Sequence, residues 1–290
     1  MYPEMPSRRD FLIAASAASL LPSGTLGGRK RASMKLSTSS LHFKGLSVRK
    51  ACRRIAELGF AGVDIWSGFR GCPHLETVLD RLGAGGLREL LAETELDLFS
   101  FSVYQGGYRK YAELLGGAGG GVAVRGSTGG EPAPENLTSR MESFIADLQP
   151  LVKLAEEHNS YLAIENHAGA LLSSLDSLRA FVEINDSPHL GIALAPYHLQ
   201  ARGASVPRAI RICGDQLFFF YAWQQESGPE QLPGIGPTDM RPWLEALADI
   251  KYTGYVNAFM HGQIEPDTMA ELLPQSREYL LKCRKDIEHT

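Results

Sequence analysis

The tripeptide Glu165-Asn166-His167 places a carboxyl group and an imidazole directly after the apolar run 161–164. The run predicts a buried strand, and polar residues at the carboxyl end of a barrel strand converge with those of its neighbours on one mouth. Carboxyl and imidazole groups are those that general acid–base catalysis uses most. The tripeptide therefore indicates a barrel active site, and a polar surface loop is the alternative that it leaves open.

Polar and aromatic residues also follow the other predicted strands. The candidate substrate contacts are Asp64, Trp66, Tyr104, Asn166, Tyr197, Trp223, Gln224, Asn257 and His261, and the candidate catalytic residues are Glu165, His167 and His198. Aromatic faces pack against the C–H faces of sugar rings, while amides and carboxylates bond to hydroxyls, so the set favours a small carbohydrate over a lipid or a nucleic acid. Asp64 as a helix cap and Trp66 as rim packing are the structural alternatives.

A scaffold must bring these residues together, and from residue 34 short apolar runs alternate with amphipathic segments. The predicted strands are 35–43, 62–66, 96–104, 121–125, 161–165, 190–195, 217–223 and 254–259, and the predicted helices are 47–58, 75–94, 108–115, 138–157, 175–184, 206–213, 240–250 and 267–287. Continuous apolar strands between longer helices indicate a parallel sheet buried on both faces. Eight such units predict an α/β protein with a single (β/α)8 TIM barrel over 34–290. A doubly wound open sheet is the alternative, but no GxGxxG motif follows the first predicted strand.

The bulk composition narrows the range of partners. The net charge of −4 provides no strong basic field for nucleic acid. The four cysteines lie far apart without a CxxC motif, which argues against a disulfide framework or a structural zinc knuckle. No apolar run in the body of the chain reaches the roughly 18 residues of a membrane-spanning helix. We therefore expect a small-molecule partner and no stable membrane insertion, and the composition leaves self-association open.

The first thirty residues have the layout of an export signal. Arg8-Arg9 precedes the apolar run 11–21, and Pro22-Ser23-Gly24 follows it. The paired arginines resemble a twin-arginine signal, which acts as an address read by a receptor. We therefore expect residues 1–30 to stand outside the fold or to be removed, and the protein to be periplasmic or extracellular. A basic N-terminus before an ordinary amphipathic helix is the alternative.

Several longer segments of the chain resemble the xylose-isomerase-like TIM barrels, a family of sugar and sugar-phosphate isomerases and epimerases. The resemblance covers residues 35–285 and rests on AELGFAGVDIW (56–66), LAIENH (162–167), GIALAPYH (191–198), PGIGPTD (233–239) and ADIKYTGYV (248–256). It implies proton transfer on a small carbohydrate or keto-sugar at the C-terminal mouth of the barrel, assisted by a divalent metal. Glu165 matches the first metal-binding glutamate of the family, and His198 matches a histidine that contacts substrate.

The other metal ligands that the resemblance implies are missing from the chain. Ala195 stands where the family has an aspartate, and Phe259 stands where it has the second glutamate. The ligand histidine of the seventh strand falls on Phe219 or Phe220. Methyl and phenyl groups offer no donor atom to a hard cation.

Three interpretations of the site therefore remain open. A relocated site on Glu165, His198 and His261, with His167 nearby, could hold Zn²⁺, Mn²⁺, Mg²⁺ or Fe²⁺. A metal-independent enzyme could use the same groups as acid and base, either as an isomerase or epimerase or as a keto-sugar lyase or hydratase. The third interpretation is a non-catalytic periplasmic barrel that binds carbohydrate.

Overall fold

Eight parallel strands close into a barrel within residues 34–288, which are the residues that this computed structural model describes. The strands are β1 (Lys35–Ser39), β2 (Gly62–Trp66), β3 (Asp97–Ser102), β4 (Gly121–Gly126), β5 (Ser160–Glu165), β6 (Leu190–Leu194), β7 (Leu217–Ala222) and β8 (Tyr255–Ala258). They follow one another in chain order, and β1 closes the ring by pairing with β8. The predicted (β/α)8 barrel is confirmed, and the open doubly wound sheet is wrong. The predicted export signal lies outside the described residues.

Helices follow the strands around the outside of the barrel. They are α1 (Val48–Glu57), α2 (His74–Thr77), α3 (Gly83–Thr94), α4 (Gly107–Gly117), α5 (Leu137–Glu157), α6 (Leu175–Ile184), α7 (Pro196–Gln200), α8 (Val206–Cys213), α9 (Arg241–Asp249) and α10 (Pro266–Glu288). Serine side chains cap three of them, because Ser47, Ser174 and Ser205 each accept a hydrogen bond from a backbone N–H in the first turn. No helix within residues 34–288 has both the length and the apolar character that crossing a bilayer requires.

The element boundaries depart from the predictions at a few places. β1 ends at Ser39, because Ser40–Phe43 turns as a 3₁₀ helix instead of continuing the strand to residue 43. The predicted helix 75–94 is divided by a π-helical turn, Val78–Leu82, and by the left-handed backbone of Gly83 (φ 62°). The strand predicted in the glycine-rich segment is present as β4.

The residues of the strands alternate between two apolar cores. On β7, Phe220 packs outward against Trp243 of α9, whereas Phe219 and Tyr221 belong to the cluster inside the barrel. Inside, the rings of Phe219 and Phe99 stack with centroids 4.6 Å apart. The barrel interior is therefore filled with side chains and is not a channel, and a ligand has access to it only from the ends.

Candidate active site

A cavity of about 560 Å³ opens at the carboxyl ends of the strands. Eight of the sequence-predicted residues line it: Trp66, Tyr104, Glu165, His167, Tyr197, His198, Trp223 and His261. They come from β2 and β5 and from the loops or helix that follow β3, β5, β6, β7 and β8. Parallel strands direct all these ends to one face of a barrel, and the volume lies in the range of small-molecule sites.

Glu165 is the acidic group of the cavity. It is the last residue of β5, it is 7% exposed, and its Oε2 accepts a hydrogen bond from the Tyr104 hydroxyl at 2.6 Å. Burial raises the pKa of Glu165 to about 7; the hydrogen bond from Tyr104 opposes this shift, and the charge of Asp64 adds to it. A carboxyl group with a pKa near neutrality is suited both to take and to return a proton.

Three histidines stand around the same cavity. The rings of His167 and His198 have centroids 4.0 Å apart, and Nδ1 of His167 donates to the carbonyl of Ala168 at 2.8 Å. Burial is the main cause that lowers the pKa of His198 to about 3 and that of His261 to about 4, and the positive charge of Arg70 contributes at His261. Both rings are therefore neutral at pH 7. Nδ1 of His261 is buried and has no hydrogen-bond partner within residues 34–288, so its hydrogen-bonding capacity is unused.

Two pairs of stacked aromatic rings meet at His261. Tyr197 stacks on Trp223 with centroids 4.3 Å apart, and Trp66 stacks on Phe259 at 5.5 Å. The His261 ring meets Trp223 and Trp66 edge-on, at 4.9 and 6.0 Å. Flat apolar faces of this kind can bind the C–H face of a sugar ring while the neutral imidazoles bond to its oxygens.

The residues around the cavity do not fit a metal ion. Within residues 34–288, no three His, Cys, Asp or Glu side chains form a group that could hold one. The predicted ligand set of Glu165, His198 and His261 is therefore not assembled: Glu165 is held by Tyr104, whereas His261 packs among aromatic rings. Phe259, at the position of the family's second glutamate, presents a phenyl ring to this region.

Two of the predicted substrate contacts, Asp64 and Asn257, lie inside the barrel and do not line the cavity. Both are fully buried. The Asp64 carboxylate accepts hydrogen bonds from the hydroxyls of Ser39 (2.7 Å), Ser100 (2.8 Å) and Ser102 (2.9 Å) and from the indole N–H of Trp66. Asn257 accepts from Ser39 and donates to Ser37. Of the predicted substrate contacts, these two therefore have their polar atoms satisfied within a layer of serines.

Two further predicted substrate contacts, Asn166 and Gln224, do not line the cavity and instead hold loops at its mouth. The Asn166 amide forms two hydrogen bonds with the backbone of Ala195, at 2.7 and 3.2 Å. Gln224 donates to the carbonyl of Leu232 and accepts from the N–H of Thr238, both at 2.8 Å. Each side chain bonds to backbone groups of the loops at the mouth, so it shapes the cavity without lining it.

Several cavity residues were not predicted from the sequence. Phe69, Arg70 and Gln231 line the cavity from loops, and Tyr221 lies directly behind Tyr104, with the two hydroxyls 3.1 Å apart. The two-residue period of β7 identifies Tyr221, because it shares the inward face of the strand with Phe219. No local pattern identifies Gln231, which accepts hydrogen bonds from the indole of Trp223 and the backbone of His261.

Comparison with known proteins agrees with this architecture. Residues 52–283 match the family described as "Xylose isomerase-like TIM barrel". Over 116 residues, the chain is 31% identical to a D-psicose 3-epimerase of Enterocloster bolteae, an alignment that covers 38% of this chain and 36% of the relative. The chain therefore matches only about a third of that relative's length.

Two solved structures share the fold. One is the 3-keto-D-glucoside 4-epimerase YcjR from E. coli, with a TM-score of 0.66 and 18% identity over 85% of this chain and 100% of that chain. The other is the IOLI protein with a binding zinc atom, with a TM-score of 0.66 and 15% identity over 86% of this chain and 98% of that chain. At such identities the likeness concerns the fold alone.

Proposed function

Because this chain belongs to the xylose isomerase-like TIM barrel family, we propose that it is a sugar epimerase or isomerase that moves a proton beside the carbonyl of a small keto-sugar. The observation that carries the proposal is the Glu165 carboxyl group, which lines the cavity and has its pKa raised to about 7. A base with this pKa is substantially ionised at neutral pH and is still strong enough to take a carbon-bound proton. The names of the epimerases that resemble the chain support the same class.

Glu165 acts as the base in this mechanism. Its Oε2 is fixed by the Tyr104 hydroxyl, so the carboxylate has one orientation towards the substrate. The proton leaves the carbon next to the carbonyl and joins the carboxylate, while negative charge develops on the carbonyl oxygen. Protonation of the opposite face of that carbon by a water molecule, whose hydroxide then takes the proton from Glu165, gives an epimer. Return of the Glu165 proton to the former carbonyl carbon, with transfer of the hydroxyl proton between the two substrate oxygens, gives an isomer.

The neutral histidines stabilise the developing charge. His198 and His261 both line the cavity, and the low pKa of each ring keeps it neutral at pH 7. A neutral imidazole presents one N–H donor and one acceptor, so it can donate to the substrate oxygen without attracting the base into an ion pair. His167, beside His198, extends the polar side of the cavity towards the sugar hydroxyls.

Deuterium exchange tests the proposal directly. Free keto-hexoses and keto-glycosides are incubated with the protein in D₂O, and NMR follows deuterium entry and product formation. We expect exchange with the wild-type protein and with the control Glu245→Gln, whose side chain is exposed on α9, but not with Glu165→Gln. Saturable sugar binding without exchange or product would identify the barrel as a carbohydrate-binding protein instead. Loss of water from the keto-sugar would place it among the lyases.

We also propose that residues 1–30 direct the protein out of the cytoplasm by the twin-arginine route. The support is the order of Arg8-Arg9, the apolar run and the small residues after it. A receptor that reads paired arginines should reject the double variant Arg8→Lys, Arg9→Lys. Fractionation of cells that express the wild-type protein or the double variant measures how much of each is exported. Export of the double variant at the wild-type level would contradict the twin-arginine assignment.

A further inference from the structure

Phe69 is an exposed aromatic residue at the rim of the cavity. Within residues 34–288, Phe69 and Tyr161 are the large hydrophobic side chains that stay exposed, at 39% and 40%. Phe69 lines the cavity, whereas Tyr161, the second residue of β5, does not. Exposed aromatic surface that continues into a binding site is typical of ligand contact.

The Phe69 ring continues an aromatic wall that begins beside Glu165. Its centroid lies 5.6 Å from that of Tyr104 and 6.1 Å from that of Trp66. Tyr104 in turn donates its hydroxyl to the Glu165 carboxylate. The wall therefore runs without a break from the acid–base group at the inner end of the cavity to the open rim.

The turn that carries Phe69 is anchored in place. The backbone of Arg70 is left-handed (φ 53°), a conformation that is uncommon for a residue other than glycine. Lys44 donates to the Arg70 carbonyl at 2.8 Å, and the carboxylate of Glu76 accepts from the Gly68 N–H at 2.9 Å. The Arg70 guanidinium lies over the Phe69 ring, 5.6 Å from its centroid. Because the ring is already positioned, a ligand loses little affinity in ordering it.

The cavity has more volume than one sugar ring requires. Its volume of about 560 Å³ lies in the range that holds drug-sized ligands, and it extends from Glu165 to Phe69 and Arg70. Within the described residues no carboxylate forms an ion pair with Arg70, so its N–H groups can donate to ligand hydroxyls at the rim.

We propose that the substrate is a glycoside, with its keto-sugar ring at Glu165 and a second ring, joined through the glycosidic bond, on the face of Phe69. The inference rests on the proposed function for the inner ring only. The second ring is either another sugar or an aromatic aglycone, since both present a flat face that packs on a phenyl ring. Phe69 thereby determines specificity and is not a catalytic residue.

Calorimetric titration tests the proposal with three ligands for each sugar: the methyl glycoside, the phenyl glycoside and the disaccharide, in the glucose and galactose series. We expect at least one ring-bearing ligand to bind the wild-type protein about five- to tenfold more tightly than the methyl glycoside. Phe69→Ala should abolish this preference, and the matched exposed-aromatic control Tyr161→Ala should keep it. Preference for the phenyl glycoside identifies an aromatic aglycone, and preference for the disaccharide identifies a second sugar.

Three results would overturn the inference: equal affinity of the wild-type protein for methyl and ring-bearing ligands, an unchanged preference in Phe69→Ala, or no saturable binding of any ring-bearing glycoside. Circular dichroism confirms that each variant is folded, and Phe69→Leu, which keeps the bulk of the side chain but not the flat ring, replaces the alanine variant if that one unfolds.

Titration of Glu165→Gln separates this inference from the proposed function. A preference for the second ring that persists in this variant, with no proton exchange by the wild-type protein, would overturn the proposed function alone. Exchange of free keto-hexoses without any ring preference would overturn the glycoside inference alone.

Discussion

Asp64 and Glu165 are two buried carboxyl groups of one barrel with opposite surroundings. Asp64 is fully buried among three serine hydroxyls and the Trp66 indole, beneath the cavity. Glu165 lines the cavity, with the hydroxyl of Tyr104 on one oxygen. Burial raises the pKa of both groups, to about 6 for Asp64 and about 7 for Glu165.

The difference between the two carboxyl groups lies in their hydrogen bonds and not in their burial. The side-chain donors around Asp64 occupy its lone pairs and oppose the effect of burial on its pKa, so it is a structural acceptor that holds Trp66 in place. Glu165 keeps acceptor capacity that faces the cavity, so a substrate proton can reach it. A pKa raised by burial indicates a catalytic carboxyl group only when at least one of its oxygens is left free to accept a proton from the substrate.

The largest expected difference between the two carboxyl groups is in proton exchange, which should depend on Glu165 far more than on Asp64. Glu165→Gln removes the base, and we expect proton exchange to fall about 10³-fold, or about 4 kcal/mol. Asp64→Asn keeps an acceptor for Trp66 and should change the exchange rate less than about tenfold. NMR exchange rates in D₂O measure both variants. A loss in Asp64→Asn as large as that in Glu165→Gln would remove the distinction between them.

The free energy of unfolding should depend on Asp64 more than on Glu165. Asp64→Ala leaves the serine hydroxyls and the Trp66 indole N–H without their acceptor, and we expect the free energy of unfolding to fall by about 3 kcal/mol. Urea unfolding at pH 5 measures it. Glu165→Gln is the comparison at the same pH, where Glu165 is protonated and the change should stay below about 1 kcal/mol. A loss for Asp64→Ala as small as that value would contradict the structural role.

The pH dependence of stability should report the pKa of Glu165. Its pKa in the folded protein, about 7, lies above the ordinary value of 4.5, so its contribution is complete below pH 4.5 and is lost as the pH rises through 7. Relative to wild type, Glu165→Gln should therefore become more stable between pH 5 and 8, by about 2 kcal/mol. Unfolding curves at both pH values measure the difference in free energy of unfolding between Glu165→Gln and the wild type. The contribution of the buried histidines is the same in both proteins and cancels in this difference. A difference that does not change with pH would refute the raised pKa.

Of the changes predicted to impair catalysis, Tyr104→Phe should lower the rate of proton exchange the least. The hydroxyl of Tyr104 lowers the pKa of Glu165, so its removal should raise that pKa and move the rising limb of the pH–rate profile to higher pH. We expect exchange at pH 7 to fall about three- to tenfold and to recover in part at pH 9. Tyr108→Phe, which loses a hydroxyl bonded to Ser160 away from the cavity, is the matched control. If the rising limb of the pH–rate profile stays at the same pH in Tyr104→Phe, Tyr104 only orients the Glu165 carboxylate and does not lower its pKa.

Sequence alone determined the barrel and the position of its acidic group. Eight alternations of strand and helix predict a closed parallel barrel, and the structure contains all eight strands. Glu165 could be predicted because it ends an apolar strand, and the carboxyl ends of parallel strands share one face. These features follow from short periods in the chain, which are set by local backbone geometry.

Tertiary structure alone decided which strand-end residues reach the cavity. Asp64 and Asn257 are polar strand residues, as Glu165 is, but serines from another strand bind them inside the barrel. The contact of Glu165 with Tyr104 joins residues 61 apart, and that of Ser39 with Asn257 joins residues 218 apart. A hydrogen-bond partner so distant leaves no periodic trace in the sequence. The burial of each strand-end side chain, its pKa and its access to the cavity therefore depend on the closed barrel and cannot be read from the sequence.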